Sequence, residues 1–352
     1  TVSDLICSFV TLMKANRKTV DELIEKMQSN HDYPKEWIKR NTEILNTIMM
    51  PFFNAYERAL ANRGQIDFTD CILKATDFCA NGTHHNYRYI LVDEFQDISV
   101  DRYNLLQSLR TAFPLTKLFC VGDDWQSIYR FSGSDMSLFN DFEKYFGYTE
   151  KCKIETTYRF FNPLVNLSSK FIQQNPAQVK KNIHPYTNTK QTGLSFHSYS
   201  DYFEAEKDNV ELNLIHSIFR TIPKEESILF LGRYSYDAKL LTDYVPDEFK
   251  SLDINLFNRK AKFMTVHSSK GLEADNIIVL NCNCGIHGFP SLIADDPILD
   301  LVLSNADAYE NAEERRVFYV AITRAKKHTF VLYDKKHPSV FIEDFEPPVE
   351  EG

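Results

Sequence analysis

At 352 residues, with 43% hydrophobic and 25% charged residues, the chain has the composition of a globular protein large enough for two cores, which excludes a disordered or fibrous chain. No apolar run approaches the length of a membrane span and no signal-peptide pattern opens the sequence, so no membrane partner is expected. The net charge of −9 argues at first against nucleic acid, but the charge is unevenly spread. Residues 151–190 carry seven Lys or Arg against one acid, residues 255–270 four against none, and residues 315–337 seven against one. Together these stretches hold +16, which leaves −25 on the remainder, the pattern of a basic groove on an acidic protein. Solvated helix faces that happen to be basic would give the same count.

Residues 1–64 read as a polar helical segment: "TVDELIEKMQ" and "WIKRNTEILNTIMMPFFNAYERALAN" space their apolar positions by three and four. "RGQIDFTDCILKATDFCANG" follows as a turn and another helix. From residue 88 short apolar strands, "RYILV", "KLFCVG", "SILFLG", "FMTV", "NIIVLN" and "HTFVLY", alternate with helical stretches such as "VDRYNLLQSLRTAF" and "PLVNLSSKFIQQ". This alternation predicts α/β layers around parallel sheets whose strands are buried. "FGYTEKCKIE" marks a domain boundary near residue 150, residues 176–192 read as a loop, and residues 346–352 as a frayed tail. Of seven cysteines, Cys7, Cys71, Cys79, Cys120 and Cys152 sit among apolar neighbours as reduced packing residues. Cys282, Cys284 and His287 lie close together, but a zinc site would need a fourth ligand and usually a Cys-x-x-Cys knuckle, so this stretch reads as a loop.

The chemistry concentrates at strand ends. In "YILVDEFQDIS" an apolar run stops at Asp93-Glu94, two acids that repel each other and resist desolvation unless a cation or a paired base is present. A magnesium ion carrying a nucleotide would explain both acids; a strand ending in a solvated acidic loop is the plainer reading. In "LFCVGDDWQSIYRFSGSD" a second strand runs into Gly122-Asp123-Asp124, and Gln126 can donate to a phosphate oxygen while accepting from water. Tyr129 and Phe131 then flank Arg130. On an extended segment the two rings would share a face, where each can stack on a base while Arg130 holds phosphate; two core aromatics would look the same. "IETTYRFFNP" brings Tyr158 and Arg159, "FMTVHSSKGLEADNIIVL" a polar turn between strands, and "EERRVFYVAITRAKK" an amphipathic helix ending in Thr323-Arg324. A guanidinium fixed at such a helix end can neutralise charge developing on a phosphate.

Taken in order, these stretches resemble the motifs of superfamily 1 helicases of the UvrD/Rep type, most of all the bacterial DNA helicase IV branch. "VDEFQD" is similar to that family's Walker B motif, "VGDDWQSIYRFSG" to its third motif, "TTYRF" to its fourth, "TVHSSKGLEAD" to its fifth and "EERRVFYVAITRAK" to its sixth. "IDFTDCI" resembles an Asp-Phe-x-Asp segment upstream of Walker B. About residues 65 to 335 are covered.

The resemblance implies a RecA-like α/β helicase core. Residues 1–64 would be a helical insertion of the first domain, 65–150 its C-terminal part, and 151–345 a complete second RecA-like domain. It implies ATP and Mg²⁺ as cofactors, and single-stranded and partly duplex DNA as partners. Translocation would run 3′ to 5′, in a cytoplasmic, nucleoid-associated bacterial protein with a role in DNA repair. Asp93 would hold Mg²⁺, Glu94 would orient or deprotonate the attacking water, and Gln126 and Arg159 would contact the γ-phosphate. Tyr158 would stack near the adenine, Glu273 would approach the ribose, Gly271 would permit close backbone passage, and Arg324 would be the arginine finger. Tyr129 and Phe131 would stack on bases while Arg130, Thr265 and His267 track the backbone. One part is missing from the pattern: no G-x-x-x-x-G-K-[ST] occurs, nor any Gly-Lys dipeptide. With no initiator Met, the expectation is a fragment whose P-loop lies upstream and which is inactive alone. The alternative is a natural P-loop-less module that binds DNA or protein without hydrolysis.

Overall fold

The computed structural model describes residues 1–82, 87–199 and 210–345, so the tail at 346–352 lies outside the described residues. The chain divides into two compact units, Thr1–Thr149 with Ala294–Ala306, and Glu150–Ile293 with the chain from Asp307 onward.

The first unit opens with helices α1 (Val2–Ala15), α2 (Val20–Ser29), α3 (Lys35–Ile44), α4 (Met50–Arg63) and α5 (Phe68–Ala80). Three of their starts are written in the sequence: Thr1 with Asp4, Thr19 with Glu22 and Asp67 with Asp70 form reciprocal capping boxes. The single helix expected through residues 37–62 is interrupted by a π-helical turn, Leu45–Met49. Pro51 lacks the N–H an α-helical ladder needs, and beside it the Met50 N–H reaches back to the Leu45 carbonyl. Phe9, Leu12, Met13, Leu23 and Met27 form a core that takes in Ile298, Leu301, Val302 and Leu303, which is why the excursion at 294–306 belongs to this unit.

Strands β1 (Tyr89–Val92) and β2 (Lys117–Cys120) pair in parallel, packed by α6 (Val100–Ala112) and the short α7 (Met136–Asn140) and α8 (Phe142–Phe146). Ile90, Val92, Leu118 and Cys120 face the core of Phe95, Ile98, Leu106, Leu138 and Phe146. The expected burial on both faces does not hold here. The alternate residues Tyr89, Leu91 and Phe119 are 61%, 73% and 63% exposed, because the described residues put nothing over that face.

In the second unit β3 (Thr156–Thr157) and β4 (His184–Pro185) make a small parallel pair near α9 (Leu164–Ile172). The main sheet comprises β5 (Gly193–Ser198), β6 (Ile228–Gly232), β7 (Leu252–Leu256), β8 (Arg259–Thr265), β9 (Ala274–Val279) and β10 (Ala325–Tyr333). Their order is β5-β10-β9-β6-β8-β7, parallel throughout except for the β7–β8 hairpin. Helices α10 (Val210–Thr221), α11 (Ala312–Ile322) and α12 (Val340–Glu343) complete the unit. β6 is buried along its whole length, as a central parallel strand should be. The hairpin escapes sequence reading because its turn, Phe257-Asn258, has positive φ at both residues (+51° and +59°) with Phe where Gly or Asn is usual. Phe257 stacks on His216 at 4.3 Å, and Arg259 donates to the carbonyls of Phe219, Ile222, Pro223 and Glu226, closing the C-terminal end of α10.

Asp67, from the Asp-Phe-x-Asp segment, has a structural task. The buried Lys14 ammonium sits 2.6–2.9 Å from carboxylates of Glu57, Asp67 and Asp70, and the Tyr56 hydroxyl donates to Asp67. Burial alone would lower the Lys14 pKa, but its hydrogen bonds outweigh burial and hold it above the usual lysine range. Burial would likewise raise Asp67, yet the Asp70 N–H, Lys14 and Tyr56 hold it below the usual carboxylate range. A depressed carboxylate stabilises the fold above its unfolded pKa of about 4, and that contribution is lost as pH falls through the lower folded value. Lys14→Met should therefore cost about 3 kcal/mol at neutral pH, where three carboxylates lose their shared cation. The difference from wild type should shrink as pH falls below about 4 and through the lower folded value of Asp67; urea denaturation at neutral and acid pH measures it.

Candidate functional site

The acid pair stands where β1 ends. Asp93 and Glu94 are exposed, and Glu94 lies in the left-handed region at φ +52°, a conformation costing a non-glycine residue about 1 kcal/mol or more. What fixes it is Gln96, fully buried, whose Nε2 donates to Glu94 Oε2 at 2.6 Å while its Oε1 accepts from the Asp123 N–H at 2.8 Å. One amide therefore ties the loop after β1 to the loop after β2. Gly122 makes room for it, since a Cβ there would lie 2.7 Å from Gln96 Oε1 and 2.8 Å from the Phe139 ring. Asp123 in turn accepts from Gln126 Nε2 at 2.6 Å, so Glu94, Gln96, Asp123 and Gln126 form one chain of hydrogen bonds. Asp93 uses one carboxylate oxygen on the Glu94 N–H at 2.8 Å. Exposed carboxylate oxygens at parallel strand ends are the hard donors that a largely hydrated Mg²⁺ takes.

The aromatic segment is not extended: residues Arg130–Ser132 form a 3₁₀ turn. Tyr129 and Phe131 still come together, with ring centroids 6.0 Å apart and tilted by 58°, and Phe131 is 52% exposed. Arg130 differs from its expected role, because its guanidinium donates to the Ser304 carbonyl and pairs with Asp295 and Asp300 inside the first unit. Five donors in a fixed fork find three acceptors there, so in this conformation the side chain serves folding.

In the second unit Arg159 Nε meets Glu273 Oε2 at 3.2 Å, and Lys326 Nζ meets Glu273 Oε1 at 2.6 Å. Lys326 first, and Arg159 after it, hold the Glu273 carboxyl below the usual carboxylate range. Tyr158, 69% exposed, stacks on Tyr186 at 4.6 Å. Gly271 has φ +80° with open space where a Cβ would sit, so left-handed backbone, not crowding, requires the glycine. Thr265 Oγ1 donates to Ser268 Oγ at 3.0 Å, and His267, half-buried, opens the following 3₁₀ turn. Arg324 is 1% exposed and donates through Nε to the Val320 carbonyl at 3.0 Å, at the end of its own helix. The basic stretches are partly internal too: Arg315 and Arg316 are buried against Asp344 and Asp307. Sequence reading assigned no task to Lys326 or Tyr186; a Lys two residues past Arg324 and a Tyr inside a polar loop carry no pattern of their own.

Acids and a glutamine at the ends of a parallel pair in one unit, and a mostly parallel six-stranded sheet in the other, are the build of a RecA-like helicase fold. Comparison with known proteins bears this out. The UvrD/REP helicase N-terminal domain matches residues 5–147 and the UvrD-like helicase C-terminal domain residues 245–336. Over 84% of its length the chain is 36% identical to DNA helicase IV of Escherichia coli, covering 41% of that protein. It is 25% identical to a probable DNA helicase of Mycoplasma pneumoniae over 83% of the chain and 52% of that protein. It is 24% identical to ATP-dependent DNA helicase PcrA of Staphylococcus aureus over 62% of the chain and 30% of that protein. The chain belongs to the UvrD-like helicases, and it spans about half or less of the length of these relatives. No helix among the described residues is long and apolar enough to cross a membrane.

Because Lys326 is the larger cause of the depressed Glu273 pKa, Lys326→Ala should return that carboxyl toward its ordinary value, and Arg159→Ala should do so to a smaller extent. A carbon-detected NMR titration of the Glu side chains reads both.

Proposed function

We propose that the chain is the motor core of an ATP-dependent DNA helicase that moves 3′ to 5′ along a single strand toward partly duplex DNA. The observation that carries this reading is the Gln96 bridge, which gives Glu94 a fixed direction and connects it to Gln126. Glu94 in a set orientation is what a residue that accepts a proton from an attacking water needs. Asp93 would hold Mg²⁺, whose chemistry is to offset the charge on the nucleotide's phosphate oxygens. Gln126 and Arg159 sense the γ-phosphate, and Arg324 adds the finger by leaving the Val320 carbonyl. Tyr158 offers its exposed face to the adenine, with Glu273 and Gly271 beside the rest of the nucleotide. Tyr129 and Phe131 stack on bases, and Thr265 and His267 follow the sugar-phosphate chain. Arg130 would join them only by giving up its acidic partners. The reading places the protein on DNA in a bacterial cytoplasm, with repair as its setting.

A second reading, a module that binds DNA or protein without hydrolysis, is favoured by one fact: the sequence contains no Gly-Lys dipeptide and so no P-loop of the Walker A form. Hydrolysis is therefore expected only when a P-loop is supplied from sequence outside this chain. In such a longer protein Glu94→Gln should keep ATP affinity within about threefold and lower DNA-stimulated turnover by roughly 10²–10⁴-fold. Steady-state ATPase assays with and without single-stranded DNA decide it. Turnover of the Glu94→Gln variant within about threefold of wild type would remove Glu94 from the chemistry. DNA-stimulated hydrolysis by the 352-residue chain itself would mean that another group cradles the phosphates.

A further inference from the structure

Outside the residues already assigned, the second unit carries a cluster of rings at one end of its sheet. β6 ends at Gly232, whose Cα partner on β8 is Thr265, and the Val266 N–H donates to the Gly232 carbonyl at 3.0 Å. Residues 233–236 thus leave the sheet at the same end, and beside the same strand, as Thr265 and His267. Tyr234 and Tyr236 stack there with centroids 5.1 Å apart and planes within 9° of parallel. His287 stands edge-on to both, at 5.8 Å and 5.6 Å, with interplanar angles of 87° and 85°.

These rings are not among the buried members of the unit's hydrophobic core, which come from α10, β6 to β10 and their flanks; Ala238 and Leu241, just beyond Tyr236, enter that core and anchor the segment to it. Tyr236 is 38% exposed and His287 is exposed. The inner ring is nevertheless held firmly. The Arg233 guanidinium lies 4.9 Å from the Tyr234 centroid and binds Glu314 with contacts of 2.6–3.0 Å; Glu314 also accepts the Ser291 N–H at 3.0 Å. The Tyr234 hydroxyl hydrogen-bonds Ser291 Oγ, and its N–H donates at 2.9 Å to Asp237, which is buried and also accepts from Asn281 Nδ2. Arg233 neutralises Glu314, so the acid does not repel an incoming phosphate. A fixed aromatic stack whose outer ring is open to solvent, next to hydroxyl and imidazole groups, matches the stacking platforms that bind single strands irrespective of sequence.

We infer that Tyr236, backed by Tyr234 and flanked by His287, is a nucleobase-stacking platform for the single strand on the second unit. The inference rests on the DNA-binding reading above and adds to it a base contact on a unit where the expected contacts are to the backbone. Tyr236→Ala should weaken binding of oligo-dT by on the order of tenfold, the effect of one lost base–aromatic stack, while Tyr236→Phe should bind like wild type. On an oligonucleotide of the same length lacking bases, wild type and Tyr236→Ala should bind alike. Fluorescence anisotropy with the 352-residue chain measures all of these, and thermal unfolding by circular dichroism shows whether the variant folds. Equal oligo-dT binding by wild type and Tyr236→Ala would overturn the platform and leave the DNA reading intact. Equal losses on both lattices would assign Tyr236 a structural role and overturn it as well. No oligo-dT binding by the wild-type chain would take the DNA reading down with it. Photocrosslinking with 5-iododeoxyuridine, which needs no variant, should mark Tyr236 or His287; crosslinks confined to other residues would overturn the assignment.

Discussion

The strand-end loops of the first unit depend on a single buried amide. Gln96 has one donor group and one acceptor group pointing in different directions, and each meets a different strand-end loop. Because it is excluded from water, loss of either bond leaves an unsatisfied buried group, which is costlier than the bond itself. That asymmetry holds Glu94 in left-handed backbone, holds Asp123 where Gln126 can reach it, and explains why position 122 has no side chain. An acid here would carry a charge into a dry site, and Asn would be a methylene too short for both partners. The requirement is geometric.

The second unit shows the same economy with positive charge. Segregated basic stretches suggested an open groove, yet Arg259 closes a helix end while Arg315 and Arg316 sit buried on acids. Arginine tolerates such places because its planar, delocalised cation is weakly hydrated and its fork can satisfy several carbonyls at once. A sum over sequence cannot separate a guanidinium that builds the fold from one that meets a ligand. Exposure and partners do separate them.

Much of the architecture was legible. Apolar runs bounded by glycine or acids gave β1, β2, β6, β9 and β10, and motif order gave the family. The misses have physical causes. β5 and β7 alternate polar and apolar residues at sheet edges, and the β7–β8 turn hides its hairpin behind Phe257. The π turn before Pro51 was legible only as a proline inside a helical pattern, which does not say how the backbone will accommodate it. At the site, strand-end acids announced themselves, whereas the Gln96 bridge, the Tyr158–Tyr186 stack and the Glu273–Lys326 pair arise from residues far apart in sequence or without a pattern. Arg130 lay in a well-marked motif, and its engagement with Asp295 and Asp300 depends on a segment some 165 residues later, which no local reading could supply.

Under the proposed function, the Arg159–Glu273 pair would set the terms on which a nucleotide is admitted. The guanidinium has the Glu273 carboxylate 3.2 Å away, so its charge is balanced within the protein. A phosphate arriving at Arg159 would exchange one oxyanion for another, and Arg159 would contribute to affinity only the difference between those two partners. Glu273, once released, still has Lys326 to hold it, which lowers the cost of letting go. On that reading an incumbent anion would keep the seat until a stronger one took it, with Lys326, the second residue of β10, holding the displaced carboxylate.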